Sequence, residues 1–311
     1  MEGKLLQKYY KENLSEYYSW AQQSHALDYI LFPKNISYHL SIDETALSCG
    51  ELYTILSNKA AKGRKGSIVA IVKGTKAECV IKVLNKIPLD IRKMVKEVTL
   101  DMAPTMQKIV SSSFPKAIQV IDRFHVQKLA YEALQEVRIS HRWEQIAIEE
   151  EQIKLCKTTG TEYKISYLEN GDTLRQLLAR SRYLLFKTPN KWSQAQKVRA
   201  KLLFKYFPDL EHLYHKVLQL RQVYSQTELK DVARLKLAKW YNQLEGIGNQ
   251  YLSTLAKSIE NNYDRILNFF VNRSTNASAE SLNAKLKAFR ATFRGVKDIR
   301  FFLFRVAKIY A

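Results

Sequence analysis

The sequence predicts an α/β protein, a mixed sheet with helices on both faces, interrupted by an all-α insertion subdomain. Three patterns predict it. Short alternating or β-branched runs follow one another closely between residues 38 and 73, then helix and strand patterns alternate up to residue 138. From about 140 to 262 only helical patterns remain. At 311 residues and 46% hydrophobic, the chain can bury one large core plus an inserted subdomain.

Taken in order, residues 1–37 read as an N-terminal helical segment, an amphipathic helix bearing Tyr9, Tyr10, Tyr17, Tyr18 and Trp20, then a loop around Pro33. Tyr38–Asp43, Glu51–Ser57 and Ser67–Lys73 read as three antiparallel strands, with Gly50 at the first turn and a basic loop over Lys59–Gly66. A helix over Lys76–Lys86, a strand over Glu97–Asp101 and a helix over Pro104–Ser112 follow, the last with proline in its first turn. Ala117–Ile121 is a strand and Phe124–Arg138 a helix. Leu174–Phe186, Lys191–Phe204, Leu210–Gln226 and Glu228–Leu244 are helical, punctuated by Pro189, Pro208 and Gly246. So long a stretch cannot be a loop, because structureless connections beyond ~15 residues are uncommon in compact domains. The expected division is therefore an N-terminal segment (1–37), a first part of the core (38–139), a helical insertion (140–262) and a final part of the core (263–311). The β-β-β-α-β-α-β-α order is the ribonuclease H-like arrangement.

Lys and Arg number 50 against 30 Asp and Glu, a net charge of +20. An excess of that size disfavours acidic small molecules as the sole ligands and suits a surface that tracks phosphates. Cys49, Cys79 and Cys156 are far apart, without a Cys-x-x-Cys pair or His at zinc spacing, and read as free buried thiols of a reducing cytosol. No segment offers the ~18 apolar residues of a membrane helix, and no cleavable leader is visible, so the expected location is cytoplasmic, at the nucleoid, without membrane partners.

Three carboxylates stand out. Asp43 closes Tyr38-His39-Leu40-Ser41-Ile42-Asp43, and Asp101 closes Val98-Thr99-Leu100-Asp101. Glu280 opens a basic helix, Asn276-Ala277-Ser278-Ala279-Glu280-Ser281-Leu282-Asn283-Ala284-Lys285. Two strand-end aspartates and a distant helical glutamate can hold a pair of magnesium (or manganese) ions, the apparatus for in-line attack on phosphodiesters. Structural roles compete: Asp101 as cap of the helix at Pro104, and Glu280 as a first-turn glutamate. Lys287 follows Glu280 by seven residues on the same face, and Asn283, Arg290 and Arg294 continue a DNA-facing stripe. Leu282, Leu286, Phe289 and Phe293 form the opposite, apolar face. Trp20, Trp143, Trp192 and Trp240 read as core or packing residues, and His212 and His215 as solvated.

Ser41-Ile42-Asp43-Glu44, Val98-Thr99-Leu100-Asp101-Met102, Val120-Ile121-Asp122-Arg123-Phe124-His125-Val126 and Ala279-Glu280-Ser281-Leu282-Asn283-Ala284-Lys285-Leu286-Lys287 together resemble the catalytic blocks of DDE transposases of the bacterial insertion-sequence ISL-three type. Ser181-Arg182-Tyr183-Leu184-Leu185-Phe186-Lys187, with Pro189 and Asn190, resembles that family's helical insertion. The resemblance runs from about Tyr38 to Val306. It implies that Asp43, Asp101 and Glu280 are the metal-binding triad, and that Asp122 and His125 form a site-supporting motif; as a bare sequence signal, Asp122 is equally a helix cap. It also implies cleavage of double-stranded DNA at element ends, strand transfer to target DNA, and a homodimer that synapses two ends. The alternatives are a ribonuclease H-like structure-selective nuclease without strand transfer, and a non-catalytic basic DNA-binding protein. Relatives usually begin with a cysteine-rich zinc segment and a helix-turn-helix. No Cys precedes Tyr38 here, so a companion end-recognition polypeptide, or a split transposase of which this is the catalytic chain, is expected.

Overall fold

A computed structural model describes residues 3–48, 50–245, 250–292 and 298–311. It divides into two compact units, one comprising residues 1–122 and 264–311, the other residues 123–263. The expectations for Cys49, Gly246, Phe293 and Arg294 lie outside the described residues.

The first unit opens with α1 (Gly3–Tyr9), continued by a π-turn, and β1 (Tyr29–Leu31). The strands β2 (His39–Ser48), β3 (Glu51–Asn58) and β4 (Ile68–Lys73) follow as an antiparallel meander. Gly50, at φ +79°, takes the left-handed conformation in the turn between β2 and β3. Next come α2 (Ala77–Leu84), α3 (Leu89–Met94), β5 (Glu97–Leu100), α4 (Pro104–Ser113) and β6 (Ile118–Ile121). The six-stranded order is β1-β4-β3-β2-β5-β6, with β5 parallel to β2 and β6 parallel to β5. This is the expected ribonuclease H-like mixed sheet.

Neighbouring residues along β3, β4 and β5 are buried alike, which requires cover on both faces of the sheet. One cover is supplied by the two C-terminal helices of this unit, Ala277–Thr292 and Ile299–Tyr310. Their Leu282, Leu286, Phe302, Leu303 and Val306 pack with Leu47, Tyr53, Ile55, Ile68 and Ile71. Each fully buried aliphatic of this kind contributes roughly 1.5–3 kcal/mol.

The second unit is all-helical among its described residues. It holds α5 (Arg123–Thr159), α6 (Leu174–Arg180), α7 (Gln194–Tyr206), α8 (Pro208–Gln226), α9 (Lys230–Glu245) and α10 (Gln250–Asn261). Capping boxes open two of them, Thr173 with Gln176 at α6 and Ser193 with Gln196 at α7. Leu177, Leu203, Leu210, Tyr214, Val217 and Leu220 fill the core. Asp172, 1% exposed at its side chain, receives Arg180 and also Arg199 at 3.2 Å, tying α6 to α7. The chain then runs through α11 (Tyr263–Leu267), α12 (Phe269–Asn272), α13 (Ala277–Thr292) and α14 (Ile299–Tyr310). Asp298 caps α14 by accepting the Phe301 N–H at 3.0 Å.

Several expectations need correction. The strand ending in Asp43 continues to Ser48, because Glu44, Thr45 and Ala46 keep their pairing with Thr54, Tyr53 and Leu52 of β3. β1 and α3 escaped the sequence reading because three and six residues are too few to show a period. The helix expected over Phe124–Arg138 runs unbroken to Thr159, carried by the good helix formers of Glu144-Gln145-Ile146-Ala147-Ile148-Glu149-Glu150-Glu151. Cys79 is exposed and Cys156 half-buried, so neither is the buried thiol expected. Trp240 is buried and Trp192 donates to the Leu184 carbonyl at 2.8 Å, whereas Trp143 is 62% exposed and packs no core.

Candidate active site

The site begins with the parallel pairing of β2 and β5. Leu40 is in register with Val98 and Ser41 with Thr99, and β5 ends at Leu100. Continuing that register by two residues, past the last paired positions, brings Asp43 and Asp101 to the same level, and the charges of both act on Glu44. Asp43 therefore lies inside β2, but at the point where β2 loses its β5 neighbour. Asp101 leaves the strand and bends back, its Oδ1 accepting the Ala103 N–H at 2.8 Å. That bond closes the turn ahead of α4, whose own cap residue, Ala103, has no side-chain bond to offer. The capping and catalytic readings of Asp101 are thus compatible, since one oxygen remains.

Asp43 is held on two sides. Its Oδ1 accepts the Glu44 N–H at 2.8 Å, and its Oδ2 accepts Asn283 Nδ2 at 2.7 Å. Asn283 sits on α13, which Leu282 and Leu286 press onto the sheet. The helix is also pinned at its side by the loop after β3: Lys285 Nζ donates to the Gly63 carbonyl at 2.7 Å. Gly63 is at φ +70°, and a Cβ there would stand 3.3 Å from Lys285 Nζ and 3.7 Å from the Leu282 nitrogen. Glu280, exposed, precedes Asn283 by three residues and shares its side of the helix. Lys287 is exposed further along, and Arg290 reaches the Ala46 carbonyl at 3.4 Å. Asn283 is only 7% exposed, so it belongs to Asp43 and not to an open stripe.

A second layer lies two residues back along the strands. Lys59, the first residue after β3, donates from Nζ to Thr99 Oγ1 at 2.8 Å and stands 3.7 Å from Glu97 Oε1. Glu97 is 4% exposed and accepts Asn272 Nδ2 at 2.9 Å on its other oxygen. Burial pulls the Lys59 ammonium below the usual lysine range, opposed by the charges of Glu97 and Asp122. Asp122, between β6 and α5, is 2% exposed, and its charge acts on Lys59. His125 is half-buried on the first turn of α5, in the other unit, with its ring edge-on to Phe124.

The sequence reading missed Glu44, Lys59, Glu97 and Asn272. Glu44 has its carboxyl raised above the ordinary range by burial, then by the negative charges of Asp101 and Asp43. Only the Asp43-Glu44 doublet signalled it. Lys59 looked like one more cation of a basic loop, and nothing local marks it as buried.

The donors suit a hard divalent cation, being carboxylate oxygens. Asn283 Oδ1 and Thr45 Oγ1 are buried beside Asp43 without a protein partner, as polar atoms are where an ion, water or substrate oxygen completes a site. Among the described residues, however, no group of three His, Cys, Asp or Glu side chains is gathered closely enough to hold a metal ion. The two aspartates are brought to the same end of the paired strands; Glu280 stays one helical turn from Asn283, which bonds Asp43.

No curated protein and no solved structure gives a significant match. A family profile described as a transposase, of the DDE ISL3 type, matches residues 40–306, which takes in the paired strands, the helical unit and α13. No helix among the described residues is long and apolar enough to cross a membrane. A match over that much of the chain, on a ribonuclease H-like sheet, means that the chain belongs to the ISL3-type family of DDE transposases.

Proposed function

We propose that this chain cleaves DNA at the ends of its element and joins the freed 3′-hydroxyl to target DNA. The observation that supports it most is the β2–β5 register, which brings Asp43 and Asp101 to the same level under a helix that carries Glu280. Asp43, Asp101 and Glu280 would hold magnesium or manganese ions, which when bound supply Lewis-acid activation of the attacking oxygen and neutralise charge on the leaving one. The remaining work falls to the chain's own groups. Asn283 helps fix the Asp43 carboxylate in one orientation. Lys59, bonded to Thr99 and paired with Glu97, ties the end of β3 to β5 two residues short of Asp101. Lys287 lies exposed two turns beyond Glu280, placed to bind a phosphate next to the scissile one. No covalent protein–DNA intermediate is required.

The deciding experiment incubates the chain with pre-cleaved element ends and a target plasmid in magnesium. Joined end–target products support the transposase reading. Nicking without joining indicates a structure-selective nuclease, and binding without either reaction indicates a DNA-binding protein whose carboxylates are idle.

A further inference from the structure

The helical unit contains a second concentration of charge, unrelated to the carboxylates. α5 places Tyr131, Gln135, Arg138 and Arg142 three or four residues apart, along one face of the helix. Arg138 is 5% exposed, donates from Nε to Gln135 Oε1 at 2.8 Å and from Nη1 to the Leu178 carbonyl at 2.9 Å. Gln135 in turn donates to the Arg182 carbonyl at 3.3 Å, so the segment after α6 is drawn against the same face. Arg182 lies exposed with its guanidinium 5.4 Å from the ring centre of Tyr183, itself 67% exposed.

The charges here are not compensated as they are nearby. Arg175, Arg180 and Arg199 each have a carboxylate partner. Among the described residues no ion pair involves Arg138, Arg142 or Arg182. The Arg138 guanidinium is held below the usual arginine range by burial and then by Arg182 and Arg142. Arg142 Nε is buried with no hydrogen-bond partner, as is the Tyr131 hydroxyl. Converging guanidinium groups that repel one another, with an unspent N–H among them, are a fork built for an anion with several acceptor oxygens.

We infer that Arg138, Arg142 and Arg182 form a phosphate-binding site for a DNA strand, with Tyr183 stacking on the adjoining sugar or base. The inference rests on the DNA-transposase reading and extends it from the carboxylate site to the helical unit. Arg138, locked by its hydrogen bonds, sets the position of the other two. Arg142 and Arg182 make the phosphate contact. Exposed aromatic rings beside cations hold single strands without reading their sequence.

The test measures DNA binding by the full chain without divalent metal, by fluorescence anisotropy across a salt titration. Arg142→Ala and Arg182→Ala should each lower the slope of log affinity against log salt by about 0.9 on duplex. Arg182→Lys should restore it, and Tyr183→Ala should weaken single-strand binding while keeping the slope. Lys201→Ala, an exposed cation on α7, should leave both unchanged. Removing Arg142 or Arg182 should also hold or raise the melting temperature without DNA, because repulsion is relieved. Failure of the unaltered chain to bind DNA at all would sink the transposase reading together with the site. If that chain binds and the two arginine variants keep its slope, or Lys201→Ala loses as much, the site alone is wrong. A lower melting temperature with an intact slope would make the arginines structural and overturn it equally.

Discussion

Asn283 carries more of the site than its residue type suggests. Its amide holds Asp43 Oδ2, and Asp43 Oδ1 is taken by a backbone N–H, so the carboxylate cannot rotate without losing a bond. Asn283→Ala should therefore lower the rate of cleavage by about tenfold to a hundredfold, on the scale of losing a group that orients a metal ligand, with DNA affinity unchanged. An unaltered rate would show that Asp43 orients itself. Asp43→Asn, Asp101→Asn and Glu280→Gln keep side-chain shape and remove a ligand charge; each should abolish cleavage and leave the melting temperature close to that of the parent. Near-normal cleavage by any one removes that residue from the site. Asp172 is a purely structural counterpart. Burial would push its carboxyl up, but Arg199, Arg180 and Asn170 pull it below the ordinary value of 3.8. A carboxyl depressed in the folded state stabilises above its unfolded pKa, and that stability drains as pH falls through the folded one. Asp172→Asn should cost about 1–3 kcal/mol near neutral pH, by leaving two partly solvated arginines facing a neutral group, and the difference from the parent should shrink below about pH 4. Equal unfolding curves at neutral pH would show that the arginines find other partners.

At the level of elements, α13 is located by three attachments: its leucines on the sheet, Asn283 on Asp43, and Lys285 on the Gly63 carbonyl. Its amphipathic pattern was visible in the sequence, and so were the meander, the later strands and the helical stretch, because each repeats its period long enough to be recognised. What could not be read was contact across the chain. Nothing within residues 59–66 announces that Lys59 will turn inward to Thr99 while Gly63 turns toward a helix more than two hundred positions later. Asn283 likewise seemed to belong to the polar stripe, since a helix of this pattern does not reveal where its buried edge ends. Gly63 is the attachment most open to test. Gly63→Ala forces an L side chain into φ +70° and brings a Cβ against Lys285 and Leu282. The expected loss is about 1–2 kcal/mol of stability, with reduced cleavage from displacement of α13. If cleavage and unfolding are both unchanged, the loop does not position the helix.

For the whole molecule, the net charge of +20 and the acidic site pull in opposite directions, and that opposition can be measured. Cations bind the DNA backbone by releasing its counterions, so affinity should fall steeply and linearly on a log–log salt plot; a protein contacting six to ten phosphates loses roughly 10³–10⁵ in affinity between about 50 and 200 mM salt. Asp43 and Asp101 repel that backbone until a cation neutralises them. Variants should therefore sort into two classes. If Lys287 makes the proposed phosphate contact, Lys287→Ala should lower the slope by about 0.9 for every sequence tested, because phosphate contacts position a duplex without reading it. Asp43→Asn and Asp101→Asn leave the phosphate contacts intact, so they should keep the slope, bind as tightly as the parent or more tightly without metal, and still fail to cleave. The measurement is a salt titration of each variant on two unrelated duplexes, run beside a cleavage assay in magnesium. A Lys287→Ala defect confined to one duplex would make that lysine a reader of bases. Should the aspartate variants lose slope as Lys287→Ala does, their carboxylates would be supporting the DNA-binding surface, and the division between binding cations and catalytic acids would fail.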